Sequence, residues 1–176
     1  MATKRSLHLL FLLLNNLTAA RPTTSSSSSS SAATKPYQIR GVADPIYHLY
    51  LQTLPSDASK PVLGPEASAE TYLIDSTIQS TNTSAYLNIN DADTSYKLLS
   101  LGETSNTTAW GLEGDTIVTT EGSVYGRQTN FLVCLLDDTN TTDSTPYYEI
   151  YLQTGSDVPS GKNCSNYQSL HIPCLC

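Results

Sequence analysis

The sequence predicts an all-β protein, a single antiparallel β-sandwich or barrel, and three observations carry that prediction. Thr, Ser, Tyr, Val and Ile are abundant while Glu, Lys and Ala show no helical periodicity, so strand formers dominate. Short apolar-rich runs alternate with clusters of Gly, Pro, Asn, Asp and Ser, as strands joined by turns do. No stretch carries an apolar helical stripe longer than two turns.

In chain order, strands are expected near Ile46–Thr53, Thr71–Ile78, Ala85–Ile89, Tyr96–Leu101, Thr116–Thr120, Asn130–Leu136, Tyr147–Thr154 and Tyr167–Ile172. Their spacing suits a sandwich or barrel. The separators Leu54-Pro55-Ser56-Asp57, Asn90-Asp91-Ala92-Asp93, Glu121-Gly122-Ser123 and Thr154-Gly155-Ser156-Asp157 supply turn chemistry. Phe131–Leu136 is apolar almost throughout, which predicts a central strand buried on both faces. Eleven Tyr against two Phe and one Trp provide ring bodies with a polar tip, suited to half-buried strand positions and to carbohydrate or protein contact.

One internal similarity bears on the fold. Tyr47-His48-Leu49-Tyr50-Leu51-Gln52-Thr53 recurs as Tyr148-Glu149-Ile150-Tyr151-Leu152-Gln153-Thr154, with Tyr96-Lys97-Leu98 as a weaker echo between them. Near-equal spacing makes a three-fold β-trefoil the alternative architecture.

Ahead of the domain, residues 1–20 read as an export signal. Lys4 and Arg5 form a basic start, Leu7 to Leu14 a short apolar stretch, and Thr18-Ala19-Ala20 a small-residue cleavage site. The apolar stretch falls short of the roughly 20 residues that a membrane-spanning helix needs, though an uncleaved anchor is the competing reading. Residues 21–43 follow as a Ser/Thr/Pro-rich disordered linker with seven consecutive serines, Ser25 to Ser31. In an exported protein such a stalk carries O-linked sugar, or else it is a plain tail. The remainder, 44–176, is expected to be one secreted β domain. Losing Lys4 and Arg5 with the leader takes the formal charge from −7 to −9. Nucleic acid and anionic membrane surfaces are poor partners for such a chain, because each needs clustered Lys or Arg.

All four cysteines lie at Cys134, Cys164, Cys174 and Cys176, and an oxidising compartment would pair them in one of three ways. Cys134 with Cys164 is favoured, since it ties a core strand to the segment leading into the last one. Cys174 and Cys176, one residue apart, would be strained if bonded to each other; they stay labile, bridge two chains, or take one of the other partners. Four zinc-binding cysteines would need two close pairs, which the spacing lacks, so no metal or cofactor is expected. Asn82, Asn106 and Asn140 each open an Asn-x-Ser/Thr sequon in a polar loop and are the expected N-glycosylation sites. Asn163 opens a fourth formal match, but its middle residue is the disulfide candidate Cys164. Ending at Cys176 without a hydrophobic tail, the chain is expected to carry no lipid-linked anchor and no membrane anchor in its mature form.

Catalytic patterns are sparse. After the leader only His48 and His171 remain, and no Gly-x-Ser-x-Gly nucleophile elbow occurs. A hydrolase would require one of them to meet an acid and a nucleophile in a cleft. Glu113 and Asp115 after Trp110 suggest a glycosidase pair, yet residues two apart on one strand lack the usual separation, and a turn at Gly114 explains them better. Asn88, Asn90, Asp91 and Asp93, with Asp137 and Asp138 as a second acidic corner, offer oxygen ligands at calcium-like density without the glycine and distal Glu of an EF-hand; surface turns are expected. A lone Trp110 in a small β domain is expected in the core rather than exposed as a sugar platform.

Phe131-Leu132-Val133-Cys134, Tyr148-Glu149-Ile150-Tyr151-Leu152 and Cys164 with its strand to Leu170, preceded by Trp110-Gly111-Leu112, form a pattern. It resembles uncharacterised small secreted proteins of filamentous fungi and is similar to the fungal phialide-associated cell-wall proteins. In the latter a cysteine-ended apolar strand is followed by an aromatic strand and a second cysteine. The outline covers Tyr47 to Ile172; Leu135-Leu136 and the Cys174-Leu175-Cys176 ending depart from it. The resemblance implies location and class, with no catalytic residue to carry over. The expected function is therefore that of a non-enzymatic secreted or cell-wall-associated glycoprotein, with wall polysaccharide or another extracellular protein as partner. A secreted effector-like protein acting on a host or competitor molecule is one alternative, and a small extracellular hydrolase the other.

Overall fold

The computed structural model describes residues 35–136 and 146–173. Within them lie thirteen strands: β1 (Arg40–Gly41), β2 (Tyr50–Leu54), β3 (Asp57–Gly64), β4 (Tyr72–Ile74), β5 (Ile78–Ser80), β6 (Tyr86–Ile89), β7 (Tyr96–Gly102), β8 (Trp110–Glu113), β9 (Thr116–Thr119), β10 (Phe131–Leu135), β11 (Tyr148–Gln153), β12 (Cys164–Gln168) and β13 (Leu170–His171). The expected all-β class holds. The expected export signal over residues 1–20, residues 21–34 of the expected linker, Asp137, Asp138, Asn140, Cys174 and Cys176 lie outside the described residues.

The strands pair in the order β4-β5-β6-β7-β11-β3-β2-β1-β13-β9-β8, with β10 on the other edge of β11 and β12 on β10. A fork at β11 makes this path a ring. Tyr148 and Glu149 pair with Leu63 and Val62 of β3, while Tyr151, Leu152 and Gln153 pair with Leu98, Lys97 and Tyr96 of β7. The two branches meet again where Trp110 N–H of β8 donates to the Ser76 carbonyl in the β4–β5 turn at 3.0 Å. The result is a nearly closed antiparallel barrel, which leaves few strand edges free. Ile39, Leu51, Leu63, Tyr72, Leu99, Phe131, Ile150 and Leu170 fill its interior. Phe131 and Val133 point into that core while Leu132 and Cys134 join a second cluster with Tyr151, so β10 is buried on both faces as its apolar run requires.

The folded body starts earlier than Asp44. Ile39 is 1% exposed in the main core, Tyr37 bridges to Tyr72, and β1 pairs with both β13 and β2. A two-residue strand is too short to show alternation, which is why residues 35–43 read as linker. Strand β3 escapes notice for a similar reason, because Ser59-Lys60-Pro61 breaks its pattern, although the Leu54–Asp57 separator is indeed the β2–β3 turn. The expected 71–78 strand is instead two, β4 and β5, folded back where Asp75 N–H bonds the Thr77 carbonyl. The run from Ile46 begins with a turn, His48 standing at φ 58°, so that β2 starts at Tyr50. The last strand likewise divides into β12 and β13, with Tyr167 at φ 56° and a register shift against β10.

The trefoil alternative fails on direction. Strand β7, bearing the echo, lies directly beside β11 and antiparallel to it, and β2 and β11 both flank β3. A three-fold axis would relate strands of one sense spaced evenly around the barrel. The repeat reflects shared surroundings: Leu51 and Leu152 enter one core, and Gln52 and Gln153 are both buried, donating to the carbonyls of Pro65 and Gly155.

Candidate functional site

The seam where the barrel closes holds a groove of about 410 Å³ between the β4–β5 turn and β8. Trp110 forms part of it but is only 2% exposed, and its indole N–H donates to the Leu87 carbonyl at 2.9 Å. This tryptophan therefore belongs to the core. The polar lip comes from Asp75, Ser76, Thr108 and Thr120, with Leu112 as an exposed apolar contact. Carboxylate, hydroxyls and one aliphatic side chain suit a hydroxyl-rich ligand better than an apolar one.

A smaller cavity of about 150 Å³ adjoins it across Thr108, walled by Asn106 to Ala109 and by Gly122 to Tyr125. The segment bearing Asn106 is fixed from beneath by the buried Asn88. Its side-chain oxygen accepts the N–H groups of Asn106 and Thr107 at 2.8 and 3.0 Å, and its amide donates to the Thr104 carbonyl at 2.9 Å. Asn106 itself is exposed, as is Asn82 at the tip of the β5–β6 hairpin. The Asn82 turn is held by Ser80, whose Oγ accepts the N–H groups of Asn82 and Thr83 and donates to Glu70 at 2.7 Å.

Cys134 and Cys164 form the expected disulfide, directly opposite each other on β10 and β12. Beside it, Tyr151 O–H donates to the Glu149 carboxylate at 2.5 Å, and Lys162 pairs with the same carboxylate and lies 3.1 Å from the Tyr151 oxygen. Burial, reinforced by Glu149, pushes the Tyr151 phenol up to about 12.

No family model matches the chain, nor does any curated protein or solved structure.

The oxygen-rich loop 88–93 does not converge on a point. Asn88 turns to the 104–107 segment, Asn90 accepts from Ser100 at 2.7 Å, and Asp91 accepts from Tyr125 at 3.2 Å. The loop's carbonyls at Ala92 and Thr94 are taken by the ammonium of buried Lys97, which also lies 5.5 Å from the Tyr125 ring centre. A lysine thus occupies the place a cation would need, and among the described residues no three His, Cys, Asp or Glu side chains group around a metal position.

Glu113 and Asp115 go separate ways around Gly114, whose φ of 63° makes the β8–β9 turn. Glu113 is bound through both oxygens to Arg127, whose guanidinium holds the carboxyl below its usual range. Asp115 instead reaches His171, with 3.2 Å between Oδ1 and Nδ1. On the other side of that imidazole, Nε2 lies 2.9 Å from Ser169 Oγ. His48 sits on an exposed turn against the Tyr47 ring. Ser169, between β12 and β13, was not singled out in the sequence, although two-residue spacing from His171 within the expected 167–172 strand is the signal that puts the two on one face. Asp115 arrives from another strand pair, and no sequence signal links it to them.

Proposed function

We propose that the chain works outside the cell as a secreted or wall-associated glycoprotein with a binding or structural role, its seam groove being the contact surface for wall polysaccharide. The observation that carries this reading is the Cys134–Cys164 bond between facing strands, because such bonds persist in oxidising compartments. The exposed sequons at Asn82 and Asn106 support it, the second standing beside the groove. So does the lip of Asp75, Ser76, Thr108 and Thr120, which offers hydrogen bonds matched to sugar hydroxyls.

The test is fractionation of tagged native protein between culture medium and washed cell wall, with and without reductant, followed by pull-down on insoluble wall polysaccharide. Wall-bound protein whose capture is weakened by Asp75→Ala with Leu112→Ser supports the reading. Protein found wholly in the medium, with no polysaccharide capture, overturns it and favours action on a soluble or host target.

A further inference from the structure

Three side chains from two places in the sequence form a continuous hydrogen-bonded line: Ser169 Oγ, 2.9 Å, His171 Nε2; His171 Nδ1, 3.2 Å, Asp115 Oδ1. The direction of the bonds follows from the donors available. A carboxylate only accepts, so a neutral imidazole in this line would carry its proton on Nδ1 and leave Nε2 to accept from the Ser169 hydroxyl. Hydrogen bonding to the imidazole is also the leading cause that holds the Asp115 carboxyl below its usual range. Thr116 Oγ1, 3.4 Å from Nδ1, adds a further polar neighbour.

The line is held by backbone pairing rather than by side chains alone. His171 pairs with Thr116 across β13 and β9, and Ile172 N–H donates to the Asp115 carbonyl at 2.8 Å, which anchors the acid beside the imidazole. Ser169 and His171 face the same way while Leu170 and Ile172 enter the core, so burial fixes the orientation of the strand. On the opposite strand Arg40 is the direct cross-strand neighbour of His171, and its buried Nε has no hydrogen-bond partner among the described residues. A buried guanidinium N–H without an acceptor is costly, and it sets a positive charge on the strand beside the imidazole.

We propose that Ser169, His171 and Asp115 are an acyl-transfer site in which Ser169 is the nucleophile, acting on short-chain esters displayed by a larger molecule. This goes beyond the binding role above, departs from the non-enzymatic expectation and gives residues to the hydrolase alternative. Ser169 Oγ bonds to the ester carbonyl carbon as its proton passes to His171 Nε2, and Asp115 stabilises the imidazolium formed. The C–O bond to the alcohol then breaks, the alcohol leaves with the proton from Nε2, and an acyl-Ser169 remains. Water attacks that ester, gives its proton to Nε2, and the carboxylic acid departs as the proton returns to Ser169. Arg40, across from His171 on the neighbouring strand, adds a positive charge on that side of the imidazole. The class of ester follows from shape. The Asp115 side chain is 55% exposed and that of His171 19%, so the face is open to esters displayed by a larger molecule, and a short acyl group is the one that needs no slot of its own.

The test uses the full chain and a fluorophosphonate, which forms a P–O bond to an activated serine with loss of fluoride. Mass spectrometry should place the adduct on Ser169 and not on Ser165 of the same peptide. His171→Gln should slow labelling about 100-fold or more, the usual scale of a lost general base, and Asp115→Asn should slow it by a smaller factor. Ser169→Ala should remove the adduct and the hydrolysis of p-nitrophenyl acetate, which should exceed that of the octanoate ester. Near-ultraviolet circular dichroism shows whether each variant keeps the fold. Should His171→Gln unfold, the wild-type chain decides alone through the position of the adduct. No adduct on Ser169 of folded protein, or an adduct whose rate ignores His171→Gln in a folded variant, overturns the proposal and leaves the three residues as a hydrogen-bonded brace of β13.

Discussion

Single side chains show where this barrel tolerates change. A Cβ on Gly41 would meet the Ile46 carbonyl oxygen at 2.4 Å and the Ile46 side chain at 2.6 Å, and backbone in a core turn cannot retreat by that much. Gly41→Ala should therefore cost about 2–3 kcal/mol, the upper range of overpacking, measured by urea unfolding. Gly114→Ala, at φ 63° with open space around it, should cost only about 1 kcal/mol from conformational strain. Equal losses at the two sites would refute the steric account. The Tyr151 phenol supplies a second residue-scale test. Burial raises it from 10.0 to about 12 in the folded chain, so the native state holds that proton more tightly than the unfolded one. The stability linked to it is whole below about 10 and is lost as pH rises through about 12. Urea midpoints from pH 8 to 12 should fall less steeply for Tyr151→Phe than for the parent chain; parallel slopes would show that the phenol titrates alike in both states.

Elements gain their definition from contacts that single stretches of sequence reveal unevenly. Asn88 is a polar residue within a strand whose position alone suggests a surface turn or a ligand, yet it is buried and carries the 104–107 segment on its side chain. Asn88→Ala leaves two N–H groups without their acceptor. We expect a loss of about 2 kcal/mol and faster hydrogen exchange at Asn106 and Thr107, while exchange in β10 stays slow. The Cys134–Cys164 bond closes a sequence separation of 30, and its replacement by paired Ala should cost about 3–4 kcal/mol in the chain-entropy account. Strand β10 and its cysteine partner were legible because an unbroken apolar run and a downstream cysteine both pointed to the same packing. Strands β3 and β8 were not, since Pro61 and Gly111 interrupt the patterns by which strands are recognised. Lys97 was equally hidden: nothing local distinguishes a lysine that ends in a loop's carbonyls from one that ends in water.

At the scale of the molecule, all-β class was readable from composition and turn spacing, whereas closure was not. Closure depends on which strands meet after long separations, as Arg40 of β1 does when it pairs with Tyr50 on one side and His171 on the other. The same distance kept the Ser169–His171–Asp115 line out of view, because β9 and β13 become neighbours only once the ring forms. Strand β1 is thus a small link with a large consequence. Removing it separates β2 from β13, exposes two edges and takes Ile39 out of the core. A chain beginning at Lys35 should unfold in one cooperative transition, whereas one beginning at Asp44 should bind a hydrophobic dye, lose its sharp transition and self-associate. It should also lose any labelling at Ser169, since the strand that holds His171 in line would have lost its partner. A cooperative, monomeric 44–176 fragment would show that β13 and β9 hold their geometry without β1, and that the ring is not what secures the site.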